Sequence, residues 1–468
     1  MRAPRAVALV VLAAFAPACM VGPNYKRPSV PVPERYHGDA VAAADEAGTL
    51  ADLPWWAVFD DPVLAALVRE ALQNGFDARL AAARVEEARA LYGGARGNVW
   101  PGAGYQGGVE RQRADQTTNP SGETATKWSA ELFFSWELDL WGRLRRQTEV
   151  ARAQYLASEE ARRGVLLSLV SDVASAYFEL RELDEDLEIA RRTTAAFQET
   201  HDLFRRRLEG GAASALETAR AEALLGSVSA QIPEIERAIV AKETELNFLL
   251  GRNPQPILRD GPLAPLPPPV PAGLPSALLE RRPDVREAEQ LLVAANAGIG
   301  VAKADFFPRL SLTGDFGNAS RELGDLFRQG RSWSLGAGLL GPLFSAGRIK
   351  GNYRASQARF QQAKVRYEAT VAASFGDVTR ALADRTKLAE AEAQREGAVR
   401  AYREAVRLAN VRYASGLSAY FEVLDAQQQL FPAELSLAQT RRNQKLAVVG
   451  LYRALGGGWQ HEAAAPAP

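Results

Sequence analysis

A single cysteine, Cys19, stands in 468 residues, so no disulfide framework can form within the chain. Three histidines are present, His37, His201 and His461, and their spacing suits no metal site. The 56 Lys plus Arg equal the 56 Asp plus Glu, which removes the basic excess that nucleic-acid binding uses. After the N-terminus no run of about 18 or more apolar residues occurs, so no transmembrane helix is expected. There is no phosphate loop and no nucleophile–base set. Gly102–Gly107 and Gly336–Gly341 satisfy G-x-G-x-x-G, but neither follows a strand and opens a helix, as nucleotide binding requires. The acidic group Asp184, Glu185, Asp186 and Glu188 reads as a solvated helix face. Neither an enzyme nor a cofactor is expected. A hydrophobic content of 47% excludes a disordered chain.

What is present begins with Arg2, Arg5 and the apolar run 7–16, a signal peptide too short to span a bilayer. Ala16-Pro17-Ala18 places small residues before Cys19. A lone cysteine there suggests a bacterial lipoprotein with lipid on the thiol; ordinary cleavage leaving Cys19 unmodified is the alternative.

The chain is organised around residues 142–208, which hold no proline and Gly164 as the only interior glycine. Leu166, Leu169, Val173, Ala176, Leu180, Leu183, Leu187, Ala190, Thr194, Phe197, His201, Phe204 and Leu208 keep a seven-residue repeat. Such a repeat requires a helix that supercoils on a neighbour. At roughly 1.5 Å per residue it spans on the order of 100 Å. His201 falls on the seam, which favours a packed histidine. Gly210-Gly211 stops the rod, and a return helix from about Ser214 to Leu250 should be kinked at Pro233. Upstream, Asp61 can cap a helix starting at Pro62, and a second helix follows from about Asp77 to Ala95.

Between these helices the period changes to two. Trp128, Ala130, Leu132, Phe134, Trp136, Leu138 and Leu140 alternate with polar residues, Phe133 being the exception. A weaker, glycine-rich partner strand runs from Trp100 to Arg111. The pattern then recurs: Gly142-Arg143 as Gly347-Arg348, Trp128 as Trp333, Gly211 as Gly416 and Gly251 as Gly456, each 205 residues on. Upstream of the hairpin loop, Asp77 recurs as Asp284 and Trp100-Pro101 as Phe307-Pro308, 207 residues on. Each half is therefore short helix, strand, strand, long helix, return helix.

Four strands of about ten residues suit an outer-membrane barrel wall, but four cannot close, and lipid does not tolerate open edges. At least two chains must share one barrel, and three would give twelve strands. A coiled-coil fibre or tether without a lumen is the competing reading, which leaves the greasy ribbons without a use.

Cys19 through Val21-Gly22-Pro23-Asn24-Tyr25, Trp55-Trp56 with Phe59 and Asp61-Pro62, Arg282-Pro283-Asp284-Val285, Gly416-Leu417 before Val423-Leu424-Asp425-Ala426-Gln427, and Gly456-Gly457-Gly458-Trp459 together resemble the outer-membrane efflux lipoproteins of the TolC-like outer-membrane factor family. The resemblance implies an α+β membrane protein, internally duplicated. It would be a homotrimer whose 12-stranded β-barrel, four strands per chain, continues into a long periplasmic α-helical barrel. It implies partners too: a periplasmic adaptor protein, an inner-membrane pump and outer-membrane lipid, without nucleic acid. The function implied is passive conduction of drugs, metals or other small solutes outward through a gated tunnel. The exit duct of a type I protein-secretion system and a lipid-tethered structural envelope protein are the alternatives.

Within the family a constriction near the rod tips uses an acidic residue in the Leu-Asp-Ala-Gln stretch, which matches Asp425. Phe421, four residues earlier, and Tyr413, at the end of the second rod, complete the expected gate. Gln428 stands where an Arg is frequent, and Arg220, the first-half counterpart of Asp425, is the alternative partner. A solvated helix residue is the plainer reading of Asp425. Gly210, Gly211, Ser415 and Gly416 are the expected adaptor-docking tips, unless the glycines only make the turn. Glu110, Glu131, Asp139 and Asp315 are further lumen candidates. The expected division is 1–18 signal peptide, 19–61 extended lipid-anchored segment, 62–99 equatorial helices and 100–141 first hairpin. It continues as 142–251 first helical hairpin, 252–283 proline-rich connector, 284–306 second-repeat helix, 307–346 second hairpin, 347–456 second helical hairpin and 457–468 tail.

Overall fold

The computed structural model describes residues 20–37, 58–113, 124–259, 266, 275–328 and 331–457. Cys19, the signal segment, Trp55-Trp56, Gly458-Trp459 and His461 lie outside the described residues. The chain forms two compact units: residues 1–29, 84–159 and 287–369, and residues 30–83, 160–286 and 370–468. Among the described residues no helix is long and apolar enough to cross a membrane.

The first unit is built on strands β1 (Gly102–Arg113), β2 (Thr124–Leu138), β3 (Arg309–Ser320) and β4 (Arg331–Leu340), which form one antiparallel sheet in sequence order. Register decides the faces. Tyr105, Leu132, Phe316 and Trp333 share one row, and Trp136, Leu312 and Ala337 another, all on the same face. Gln106, Glu131, Gly317 and Ser332 share a row on the opposite face, with Glu110 opposite Lys127 further along it. The alternation read along each strand thus becomes one greasy and one polar surface.

Asp139 belongs to neither face. Its carboxylate accepts from the backbone N–H of Leu144 and Arg145 at 3.0 and 2.9 Å, capping the long helix. This corrects its reading as a lumen residue: the strand ends at Leu138, and the free N–H groups of the next helix need an acceptor. The extended segment after Cys19 lies in this unit as well. Val21 donates to the Trp141 carbonyl at 3.1 Å, and the buried Arg146 donates to Asn24 Oδ1 at 2.9 Å. Arg27 grips Glu289 through two bonds of 2.7 and 2.6 Å.

The second unit is helical. It holds α1 (Pro62–Asn74), the return helices α4 (Ala215–Ser229) and α5 (Gln231–Leu249) of the first half, and short α6 (Leu278–Arg281). Helix α9 (Phe421–Ala454) is the return helix of the second half. Helices α2 (Phe76–Gly97), α3 (Arg143–Glu209), α7 (Pro283–Ala304) and α8 (Arg348–Ala414) each contribute residues to both units. Helices α3 and α8 are the two rods, each 67 residues long.

The α3 seam residues Leu166, Leu169, Val173, Ala176 and Leu180 lie in the main core with Leu64, Val68 and Leu451. Asp61 accepts from Val63 and Leu64 N–H at 3.0 Å and also from the Tyr177 hydroxyl at 2.9 Å. Burial, reinforced by that bond, pushes the Tyr177 hydroxyl up to about 12. The first-half return segment is two helices, not one kinked helix. Pro233 has no N–H for the Ser229 carbonyl, and the break falls at Ala230. In the second half Pro432 sits inside α9 without interrupting it. Beside it Glu434, 6% exposed, accepts from Arg192 of α3 at 2.7 Å and from Arg403 of α8 at 3.0 and 2.7 Å.

Candidate functional site

Both rods stop in the same turn. Gly211 donates to Leu208 and Ala212 to Arg207; 205 residues on, Gly416 donates to Tyr413 and Leu417 to Arg412. This pair of bonds is a Schellman stop, and it needs a left-handed residue after the helix. Gly211 at φ +71° and Gly416 at φ +70° supply it. A side chain at either glycine would meet nothing within 4 Å, so φ alone explains the glycine. Gly210, Gly211, Ser415 and Gly416 are all exposed. After the first turn Ser214 and Glu217 form a capping box that starts α4. After the second, Arg412 bonds Glu422 at 3.3 Å.

A small core ties the two tips together: Phe204, Ala221, Ala409, Tyr420, Val423 and Leu424, with Tyr413 packed against it. Tyr420 is its centre. Its ring meets Phe204 at 4.5 Å and Tyr413 at 4.7 Å, both edge-on, and its hydroxyl bonds Thr200 at 2.8 Å. Burial raises the Tyr420 hydroxyl above the ordinary tyrosine range. Arg207 lies 5.3 Å over the Tyr413 ring and donates to its hydroxyl. Sequence reasoning missed Tyr420, which follows the turn and belongs to no periodic pattern.

The expected gate residues are only partly brought together. Tyr413 belongs to the aromatic cluster, whereas Phe421 is 58% exposed and Asp425, one turn further along α9, is exposed. Arg220 does not pair with Asp425; its guanidinium lies 5.5 Å over the Phe421 ring. Among the described residues Asp425 makes no ion pair. A carboxylate and a cation-covered ring thus stand exposed on neighbouring turns. Among the described residues no group of three or more His, Cys, Asp or Glu could hold a metal.

A duplicated chain with four alternating strands in one sheet and two 67-residue rods defines an outer-membrane channel subunit. This chain belongs to the outer membrane efflux protein family, whose profile matches residues 67–252 and 274–457. It is 35% identical to the toluene efflux pump outer membrane protein TtgC of Pseudomonas putida, over 97% of this chain and 96% of that one. It is 33% identical to the probable outer membrane lipoprotein SilC of Salmonella typhimurium, over 94% and 95% of the two chains. Among solved structures it matches the outer-membrane channel OprN with a TM-score of 0.87 at 29% identity, covering 94% of this chain and all of that one.

Proposed function

We propose that three copies of this protein form the exit duct of a tripartite efflux system. Its twelve-stranded barrel crosses the outer membrane and continues into a periplasmic barrel of helices. One observation carries the reading: a four-stranded sheet with a greasy face, a polar face and, among the described residues, two unpaired edge strands. Such a sheet cannot sit in lipid alone, because each unsatisfied edge group there costs several kcal/mol. Closure with like sheets removes the edges and turns the polar face toward a water-filled lumen.

A periplasmic adaptor docks at the exposed tips Gly210, Gly211, Ser415 and Gly416, and an inner-membrane pump supplies the energy. The efflux-pump name of the TtgC relative supports this assignment. Asp425, Phe421 and Tyr413 form the periplasmic gate. Three exposed Asp425 carboxylates would favour cations, and three Phe421 rings would narrow the passage. Cys19 carries the lipid. Support comes from the strapped segment after it, held at Trp141 where strand passes into helix, and from the lipoprotein name of SilC.

Purified mature protein should run as a heat-labile trimer and give discrete conductance steps in planar bilayers. A detergent-stable monomer without conductance would defeat the proposal.

A further inference from the structure

A cavity of about 520 Å³ opens where α3, α8 and α9 meet, wholly within the helical unit. Its floor is apolar: Phe197, 2% exposed, with Leu430 and Phe431 of α9. Its rim is cationic: Arg192 of α3, and Arg403 and Arg407 four residues apart on α8. All three side chains are more than half exposed. Glu434 holds Arg192 and Arg403 in place, and Glu404 holds Arg407 through two bonds of 2.8 and 2.7 Å. Three guanidinium groups against two carboxylates leave one positive charge at the mouth. The guanidiniums also keep donors to spare. Among the described residues the Nη1 groups of Arg192, Arg403 and Arg407 donate to nothing.

A second, independent feature lies on the same wall. Gln427 lines the cavity, and its Oε1 is buried without a hydrogen-bond partner among the described residues. A buried acceptor left in that state costs free energy that an entering donor recovers. Gln427 precedes Glu434 by two turns of α9, roughly 10 Å along the helix axis. Helix α8 runs toward the rod tip and α9 away from it, so Arg407 lies on the Gln427 side of Arg403.

We infer that this cavity binds an amphipathic monoanion: an elongated apolar body, one carboxylate-like head, and a hydroxyl roughly 10 Å from it. The head takes the free Nη1 donors at the rim, in charge-assisted bonds. The body covers Phe197, Leu430 and Phe431, and the hydroxyl donates to Gln427. A bare inorganic anion would leave the floor wet, a neutral hydrocarbon would leave the guanidinium donors unused, and a cation is repelled at the mouth. The volume is that of a small-molecule site. Every lining group belongs to one chain, so the site stands whether or not copies assemble.

The test is isothermal titration calorimetry of the full mature protein in dodecyl maltoside, with 10-hydroxydecanoate as the probe and empty micelles as the blank. Wild type should bind the probe saturably, one per chain. Arg403→Gln with Arg407→Gln should weaken binding by about tenfold or more, the loss expected for hydrogen bonds to a charged head. Decanoate, which lacks the hydroxyl, should bind wild type about fivefold more weakly, and Gln427→Leu should erase that difference. Ala196→Trp fills the cavity from an exposed position on α3 and should abolish binding. The arginine variant, altered only at exposed side chains, decides the matter should Ala196→Trp fail to fold. Mass spectrometry of an extract of freshly purified protein separates the sources. An acid that co-purifies with wild type and is lost from the arginine variant comes from the envelope, and an empty extract with a saturable titration means a solute taken up from outside. Absence of saturable binding to wild type, or full-strength binding to the arginine variant, overturns the site. Equal affinity of wild type for both acids overturns the role of Gln427.

Discussion

Phe133 closes over Gly104 across the first hairpin. The two face each other in the β1–β2 register, and a Cβ on residue 104 would lie 2.4 Å from the tip of the ring. A large apolar residue on the polar face thereby covers a glycine, a device that pins register in curved sheets. Gly104→Val forces the ring away and should lower barrel stability by about 1–3 kcal/mol, the usual range for overpacking. Adding Phe133→Ala to the same chain removes the clash, so the two effects should be strongly non-additive. Trimer melting on semi-native gels is the measurement.

Glu434 takes bonds from both rods, from Arg192 of the first and Arg403 of the second. Glu434→Ala should destabilise the helical region by about 1–3 kcal/mol, the range for losing hydrogen bonds to a charged group. Arg403→Ala should cost less, because that side chain is 59% exposed and Arg192 still holds the carboxylate. Thermal unfolding followed by circular dichroism ranks the two.

Asp61 satisfies a helix start and the buried Tyr177 hydroxyl together. Asp61→Ala loses the cap and orphans the hydroxyl, for about 2–3 kcal/mol in all. Asp61→Asn keeps an acceptor for the cap and should recover most of that loss in the same melt.

Asp186 titrates where a carboxylate ordinarily does not. Burial, with Glu182 and Glu185 adding to it, pushes it up to about 7, against the pull of Arg442. The folded chain therefore holds a proton that the unfolded chain releases near pH 4, where free aspartate titrates. Stability contributed by this group is fully present below about pH 4 and is lost as pH rises toward 7. Asp186→Asn should flatten that slope and stabilise the protein at pH 8 by about 1 kcal/mol, after allowance for solvent screening. Melting curves at pH 5 and pH 8 for both proteins check the sign.

At the rod tips, Asp425→Ala should raise single-channel conductance or sensitivity to a large antibiotic, the outcome expected of the proposed gate when it loses its carboxylates. Phe421→Ala should do the same by widening the passage. Arg220→Ala, which uncovers the Phe421 ring without removing it, should have the smallest effect. If conductance and sensitivity stay at wild-type values in Asp425→Ala, that residue has no part in the gate.

Much of the fold was legible because it is periodic. The seven-residue spacing of Leu166 through Phe204 described a rod, and the rods end at Glu209 and Ala414, one residue before Gly210 and Ser415. The two-residue spacing from Trp128 described a strand with unlike faces. The site was less legible. Asp425 and Phe421 could be named, but Tyr420 lies just after a turn, where no period marks it, and its partners Thr200 and Phe204 come from the other rod. Arg220 was named as the repeat counterpart of Asp425, but within the chain it lies over the Phe421 ring, because the repeat gives equivalence and not contact.

By itself the sequence determined the duplication, the rods, the strand faces and the glycine stops, since each depends only on spacing along one chain and on which residues tolerate a left-handed turn. The tertiary structure alone decided that β2 pairs with β3 across the repeat, that Phe133 covers Gly104 and that Asp139 caps a helix. It also decided that Arg220 stacks on Phe421. Those are contacts between segments far apart in sequence, and a contact is chosen by which surfaces and unsatisfied groups meet when the segments pack.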